Sequence, residues 1–360
     1  MKKQTLNDLI TFGCTAVLCV TMAVLSSAGA LDGNNMLKGL LVLIGIHIIL
    51  ALSLNLTVGI LGELSLGHAG FMCVGALMGG TVSQIVGIYA AGCPAGVRLT
   101  ISLICSGVMA AIFGVLIGIP VLRLRGDYLA IVTLGFGEIM KSLANNMYLS
   151  SDKNGLHFGF TKPPENIDAA TEKQILKGAI GIQAPQDTDV WATTIVLLLT
   201  LLVLITFISS KSGRACMAVR DNYIAAQSVG INVTKFRLMA FSVSAAMAGI
   251  AGGLYVHSIP MVSFVKFDYN YSILILVFVV LGGLGSLRGS IISTIILYTL
   301  PEIFREVGDY RMLIYAIVLI CMMIFNNAPF FVQLRERIGA SAPVRKLKGI
   351  FKKKKAGGAE

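Results

Sequence analysis

Two uncharged runs, at 39–62 and 64–97, meet in the stretch Leu61-Gly62-Glu63-Leu64-Ser65-Leu66-Gly67-His68-Ala69-Gly70. Each run exceeds the roughly 20 residues that a helix needs to cross a bilayer. Three glycines and two ionisable side chains fall together where the runs meet, which is typical of a helix that is broken at membrane depth. Gly282-Gly283-Leu284-Gly285-Ser286-Leu287-Arg288-Gly289 interrupts a later apolar stretch similarly. We therefore predict broken or re-entrant segments near 62–70 and 282–289.

The composition around these stretches is that of a membrane protein. The 360 residues are 56% hydrophobic and 13% charged, with a mean hydropathy of +0.82. Two further uncharged runs, at 99–122 and 238–265, also reach bilayer length. These runs are far longer than the strands of a β-barrel, so the sequence predicts an all-α polytopic membrane protein. An ordinary soluble domain, a disordered chain and a secreted protein are excluded.

Hydropathy predicts about ten transmembrane helices. They lie near 9–29, 37–61, 66–91, 99–121, 128–148, 190–209, 238–259, 271–287, 289–304 and 312–331. The first, followed by Ala28-Gly29-Ala30, also resembles a secretory signal with a cleavage site. Its apolar run is longer than a usual signal core, so we expect this segment to be retained.

The positive charges are sorted between the predicted loops. The chain has a formal net charge of +11, and the loops on one side hold 19 of its Lys and Arg residues. That side has a net charge of about +13 and the other of about −2, which places the basic side and both termini in the cytoplasm. The sequence therefore predicts a multi-pass membrane protein whose orientation is set by these charges.

This topology divides the chain into a single transmembrane permease domain, 1–331, and a basic cytoplasmic tail, 332–360. The domain includes an external loop, 149–189, and a cytoplasmic loop, 210–237. We expect the external loop to be a solvated hairpin with some helix around 168–179. The tail contains four consecutive lysines at 352–355. Because the tail lacks interleaved aromatics, we expect contact with anionic lipid and no binding to nucleic acid.

The chemistry of an enzyme is missing from the sequence. No Gly-Lys dipeptide occurs, so a Walker A loop for ATP is excluded. The seven cysteines form no CxxC pair, and no nucleophile or metal-ligand arrangement stands out. We predict a chain that is not an enzyme and that binds no metal or cofactor itself.

The 210–237 loop contains Ile224-Ala225-Ala226, followed after three residues by Gly230. This pattern resembles the EAA loop of ABC importer permeases, with Ile in place of the family's Glu. The stretches 55–59, 62–71, 123–139, 230–233 and 281–286 are together similar to the LivM-type permeases of branched-chain amino acid ABC importers. The resemblance covers about 40–330, with several long motifs in the same order.

The resemblance implies a permease subunit that translocates leucine, isoleucine and valine inward by alternating access. It implies a second, LivH-like permease subunit, two ATP-binding subunits (LivG/LivF-like) that use the ATP, and an extracytoplasmic amino-acid-binding protein. The external loop could dock that binding protein. The ATPase-coupling residues would be Gly213, Arg214, Arg220, Asp221, Ala225, Ala226 and Gly230.

Polar groups at or near membrane depth are candidates for the translocation path, because exposing them to lipid is costly. These candidates are Asn55, Glu63, Ser65, His68 and Glu138. Each also has a structural interpretation. Glu138 can pair with Lys141 on one helix face, Glu63 can serve a turn, and His68 can bond a carbonyl freed by the break. Asn55 and Ser65 can instead tie helices together by hydrogen bonds.

Other functions remain open from the sequence. A self-sufficient, ion-coupled secondary transporter would also use broken helices. A urea or small-amide ABC permease would have a similar sequence. An ion channel is less favoured, because no carbonyl-filter repeat or charged ring is present. The exact substrate, and whether the permease pair is a homodimer or a heterodimer, are left undetermined.

Overall fold

The computed structural model describes residues 13, 15, 20–21, 35–90, 92–124, 126–152, 155–162, 173–304, 310, 313, 316–321 and 324. The predicted segments 9–29 and 312–331 lie largely, and the basic tail 332–360 wholly, outside these residues. The chain forms two compact units, Met1–Thr299 and Leu300–Glu360. In the second unit, residues 316–321 are helical; the architecture below is that of the first.

Helices make up most of the described chain. They are α1 (Asn35–Asn55), α2 (His68–Tyr89), α3 (Ala95–Val121), α4 (Asp127–Asn145), α5 (Val190–Ser209), α6 (Lys211–Asp221), α7 (Tyr223–Ser228), α8 (Val233–Ser258), α9 (Tyr269–Gly282) and α10 (Leu287–Ile303). By length and composition, five helical stretches in the described residues can cross a membrane: Met36–Leu61, α2, α3, α5 and α8.

These five stretches coincide with the predicted segments 37–61, 66–91, 99–121, 190–209 and 238–259. The predicted segments 128–148, 271–287 and 289–304 correspond to α4, α9 and α10, and α9 has only 14 residues. A mostly helical chain with several membrane-spanning helices is thus confirmed. The count of ten stays a prediction.

Both predicted interruptions are present. α1 runs directly into a π-helix, Leu56–Leu61, which ends where Gly62 takes the left-handed conformation with φ +82°. Residues 62–67 are non-helical and form the first break. The second break, 283–286, separates α9 from α10, with φ of +92° at Gly283 and +79° at Gly285. Glycine adopts these values without the strain that a Cβ would cause, so each break depends on its glycines.

Small residues hold α2, α3 and α8 together. A side chain at Gly75 of α2 would collide with the backbone of Gly249 in α8. The hydroxyls of Ser106 and Ser102 in α3 donate to the carbonyls of Gly75 (2.9 Å) and Gly79 (2.8 Å). Such close backbone approach is typical of small residues at helix interfaces in membranes. The outer face of α3 is instead exposed and apolar, as contact with lipid requires, and includes Val97, Ile101, Ile104, Val108, Ile112 and Ile119.

Residues 147–177 contain an antiparallel sheet in the order β2-β1-β3, formed by β1 (Met147–Asp152), β2 (Gly155–Phe160) and β3 (Lys173–Lys177). The predicted hairpin is present as β1–β2. The prediction of helix around 168–179 is wrong at 173–177, and the fold is not strictly all-α. Residues 173–177 form a strand because they pair with β1 and are partly buried there. Leu176, for example, is 2% exposed and pairs with Leu149. Such tertiary pairing overrides local propensity.

Candidate coupling site

The predicted cytoplasmic loop folds into two short helices, α6 and α7. Ser210 begins α6, and its hydroxyl accepts the Gly213 N–H at 3.2 Å. Asn222 begins α7, and its Oδ1 accepts the N–H groups of Ile224 (3.0 Å) and Ala225 (3.1 Å). Gly230 ends this region with φ +83°. We call 210–230 the coupling segment.

An apolar cluster fixes α6 against the helices around it. Leu61, Cys216 and Ala240 form its buried centre, with Phe207 and Phe236 packed against them. Burial raises the pKa of the Cys216 thiol to about 11, so this thiol is neutral and acts as an apolar group. These contacts tie α6 to the end of the π-helix and to α8.

The start of α6 also packs closely against the end of α5. Gly213 packs on the backbone of Phe207 and Ile208, where a side chain would collide. Arg214, which is exposed, donates to the Ser209 carbonyl at 2.8 Å. A displacement of α6 would therefore be transmitted to α5 through backbone contacts.

The surface of α7 combines a buried side with an apolar exposed side. Ala226 is 3% exposed, whereas Ile224 is 61% and Val229 is 77% exposed. Ala225 is exposed as well. Large apolar side chains that project from a short, polar segment are typical of an interaction surface.

Arg220 joins α6 to the first break. Its Nη1 donates to the Gly59 carbonyl at 2.9 Å, and its Nε and Nη2 contact Oδ1 of the exposed Asp221 at 3.1 and 3.0 Å. Its alkyl chain packs so closely on Gly62 that a side chain there would collide with it.

Asn55, at the junction of α1 and the π-helix, contacts the second break and the start of α10. Its Oδ1 accepts the Gly285 N–H at 2.8 Å, and its Nδ2 donates to the Ser290 hydroxyl at 3.1 Å. Asn55 is fully buried. A side chain at Gly59 would collide with both Asn55 and the Gly285 backbone. The structure thus brings together Asn55 and Arg220, which the sequence had assigned to different roles.

Glu63 forms an ion pair with Arg237 at the start of α8. Oε1 of Glu63 lies 2.7 Å from Nε of Arg237, and the side chains are 12% and 14% exposed. The other carboxylate oxygen, Oε2, is buried without a hydrogen-bond partner. Burial raises the pKa of the Glu63 carboxyl above its ordinary value, and the Arg237 charge opposes this only in part.

The remaining candidates for the translocation path, which are His68, Glu138 and Ser65, lie outside the Glu63–Arg237 ion pair. Nε2 of His68 is 2.6 Å from the Ser53 hydroxyl, which itself donates to the Leu50 carbonyl at 2.8 Å. Glu138 pairs with Lys141, as its spacing predicts, and Oε1 of Glu138 also accepts the Tyr269 N–H at 3.1 Å. Ser65 is 2% exposed, and its hydroxyl has no hydrogen-bond partner.

Sequence reasoning missed Asn222, Ser210 and Ser290. The first two carry a recognisable signal, because Asn and Ser directly before a helical stretch are favoured N-caps. Ser290 carries no such signal, since its role depends on Asn55, 235 positions away.

The long apolar helices and the two breaks between helices are those of a multi-pass membrane protein. The chain belongs to the family described as branched-chain amino acid transport system / permease component, which it matches over residues 36–325. The predicted LivM-type resemblance is thereby confirmed.

Individual relatives agree with this assignment. The chain is 36% identical over 338 residues to the high-affinity branched-chain amino acid transport system permease protein LivM of Escherichia coli (strain K12), covering 90% of this chain and 75% of that protein. It is 21% identical over 305 residues to the probable LivM of Methanocaldococcus jannaschii, covering 77% and 83%. The high-affinity permease protein LivH of Escherichia coli (strain K12) is 32% identical over 112 residues, or 30% of this chain and 34% of LivH. No solved structure matches the chain.

Proposed function

We propose that this chain is the transmembrane permease subunit of an ABC importer that moves branched-chain amino acids (leucine, isoleucine and valine) inward by alternating access. Its family and its LivM relatives support the substrate class. Separate ATPase subunits supply the energy, and ATP is not bound by this chain.

The observation that carries the proposal is the coupling segment. α7 presents Ile224 and Val229 to solvent, while Ala226 anchors it from the buried side. These apolar side chains fit a groove on an ATPase subunit. A rigid helix seated in such a groove converts closure of the ATPases into a rotation of the attached helices.

The partners follow from the same assignment. A LivH-like second permease subunit completes the pore, and two LivG/LivF-like ATPases dock on the coupling segments. An extracytoplasmic binding protein delivers the amino acid to the side that bears the three-stranded sheet. The importer lies in the bacterial inner membrane, with about ten spans and both termini in the cytoplasm.

The path itself is proposed to be mostly apolar. A zwitterion with an aliphatic side chain must bind weakly enough to leave again, so few charges are needed. Glu63 and Ser65, the latter with an unpartnered buried hydroxyl, are the candidates within the first break, and His68 directly follows it. Glu138 stays a candidate, although Lys141 and the Tyr269 N–H already occupy its carboxylate.

Uptake in proteoliposomes tests the proposal. Vesicles would hold this chain with its candidate partner permease, ATPases and binding protein, and uptake of labelled leucine, isoleucine and valine would be measured with and without ATP. Uptake that requires both ATP and the binding protein is the expected result, and competition by urea distinguishes an amide permease. Uptake by this chain alone, driven by a sodium or proton gradient, would identify a secondary transporter instead.

Two variants test the coupling segment within that assay. Gly230→Pro replaces a residue at φ +83° by one restricted to about −65°, and it removes an N–H that donates to the Gln227 carbonyl. Arg214→Glu reverses an exposed charge on α6. Both should uncouple ATP hydrolysis from uptake, whereas unchanged uptake with normal assembly would refute the docking assignment.

A further inference from the structure

At the end of the π-helix, a backbone carbonyl has no hydrogen-bond donor within the helix itself. The last carbonyls of any helix lack N–H partners within it, and a cation at this end also interacts favourably with the helix dipole. Gly59 lies three residues before Gly62, which terminates the π-helix. Its carbonyl accepts from Nη1 of Arg220, from the last turn of α6. This charge-assisted hydrogen bond spans 161 positions of sequence.

The same turn of the π-helix is fixed to the second break. The Gly59 backbone packs directly on Gly285, and there is no room for a side chain between them. Asn55, one turn earlier, accepts the Gly285 N–H. Gly285 has φ +79° and lies in the non-helical break between α9 and α10. A movement of the π-helix would therefore act on the segment that joins these two helices.

These contacts form a continuous link from α6 through Arg220, Gly59 and Asn55 to the 283–286 break. We propose that Arg220 and Asn55 are positioning residues that transmit movement of the coupling segment to both helix breaks. Asn55 then acts in coupling and does not line the path. This inference rests on the proposed function, since the movement is supplied by docked ATPases.

The test compares ATP hydrolysis and leucine uptake in the same proteoliposomes. Arg220→Met removes the donor to the Gly59 carbonyl and keeps much of the alkyl chain that packs on Gly62. The rate of ATP hydrolysis should stay within about twofold of wild type. The ATP used per leucine transported should rise about tenfold, because this is the factor that corresponds to losing one charge-assisted hydrogen bond. Arg220→Lys, which keeps a donor, should restore part of the uptake.

Arg123→Met is the control, because it removes an exposed cation that lies outside the coupling segment and outside both breaks. Its ATP-to-leucine ratio should equal that of wild type. An unchanged ratio in Arg220→Met overturns the inference. So does a parallel loss of hydrolysis and uptake in an assembled complex, which would place Arg220 at the ATPase interface instead.

Asn55→Leu keeps the test decisive if Arg220→Met does not assemble. This variant is of similar size and removes both bonds to the second break, so the ratio should again rise; an unchanged ratio overturns the inference. Failure of the proposed function is separately visible, because the wild-type assembly would then show no ATP-dependent uptake.

Discussion

Glu63 is an ionisable residue in a largely buried environment. Its carboxyl is 12% exposed, one of its oxygens has no hydrogen-bond partner, and Arg237 lies against the other. Burial is the larger influence on its pKa, which is raised above 4.5 in spite of the guanidinium. Burial therefore disfavours the carboxylate more than the Arg237 charge favours it.

This conclusion predicts that Glu63→Gln is tolerated. Glutamine keeps an oxygen for Arg237 and resembles the protonated carboxyl that burial favours, so the free energy of unfolding at neutral pH should change by less than about 1 kcal/mol. Thermal unfolding of the purified protein in detergent measures this. A large loss of stability at neutral pH would show that Arg237 stabilises the carboxylate more than burial disfavours it.

The pH dependence of the protein's stability follows from the raised pKa of the Glu63 carboxyl. The folded protein holds the Glu63 proton more tightly than the unfolded chain, so this contribution to stability is complete below about pH 4.5 and is lost as the pH rises through the folded pKa. The melting temperature of wild type should accordingly fall relative to that of Glu63→Gln as the pH rises from 4.5 to neutrality.

At the scale of elements, the contact between α2 and α8 depends on the absence of side chains. Gly75→Val would force the backbone of α8 away at Gly249 and should cost roughly 1–3 kcal/mol. Gly135→Val on α4 is the matched control, because no atom lies within 4 Å of its added Cβ. Thermal unfolding of the two variants compares them, and equal stability would mean that α2 and α8 are not in close contact.

The helices and their breaks could be predicted because each depends on local signals. The apolar runs specify α1 and α2, and the glycines between them specify the break near Gly62. β3 could not be predicted, because its strand geometry depends on pairing with β1. The same limit applies to the coupling site: the sequence indicates α7 and Gly230, but the Arg220–Gly59 contact joins residues 161 positions apart.

At the scale of the molecule, α5 connects the sheet to the coupling segment. It has 20 residues, or about 30 Å of helix, which matches the apolar thickness of a bilayer. One of its faces is exposed and apolar, with Trp191, Ile195 and Leu199. If α5 crosses the membrane, then the sheet and the coupling segment lie on opposite sides of it.

Thiol labelling of spheroplasts tests this topology. The seven native cysteines are first replaced, and then Leu156→Cys in β2 or Lys211→Cys in α6 is introduced, both at exposed positions. Because Lys and Arg accumulate on the cytoplasmic side, a membrane-impermeant maleimide should label Leu156→Cys in intact spheroplasts and Lys211→Cys only after lysis. The reverse pattern would invert the orientation, whereas labelling of both sites from outside would show that α5 does not cross the membrane.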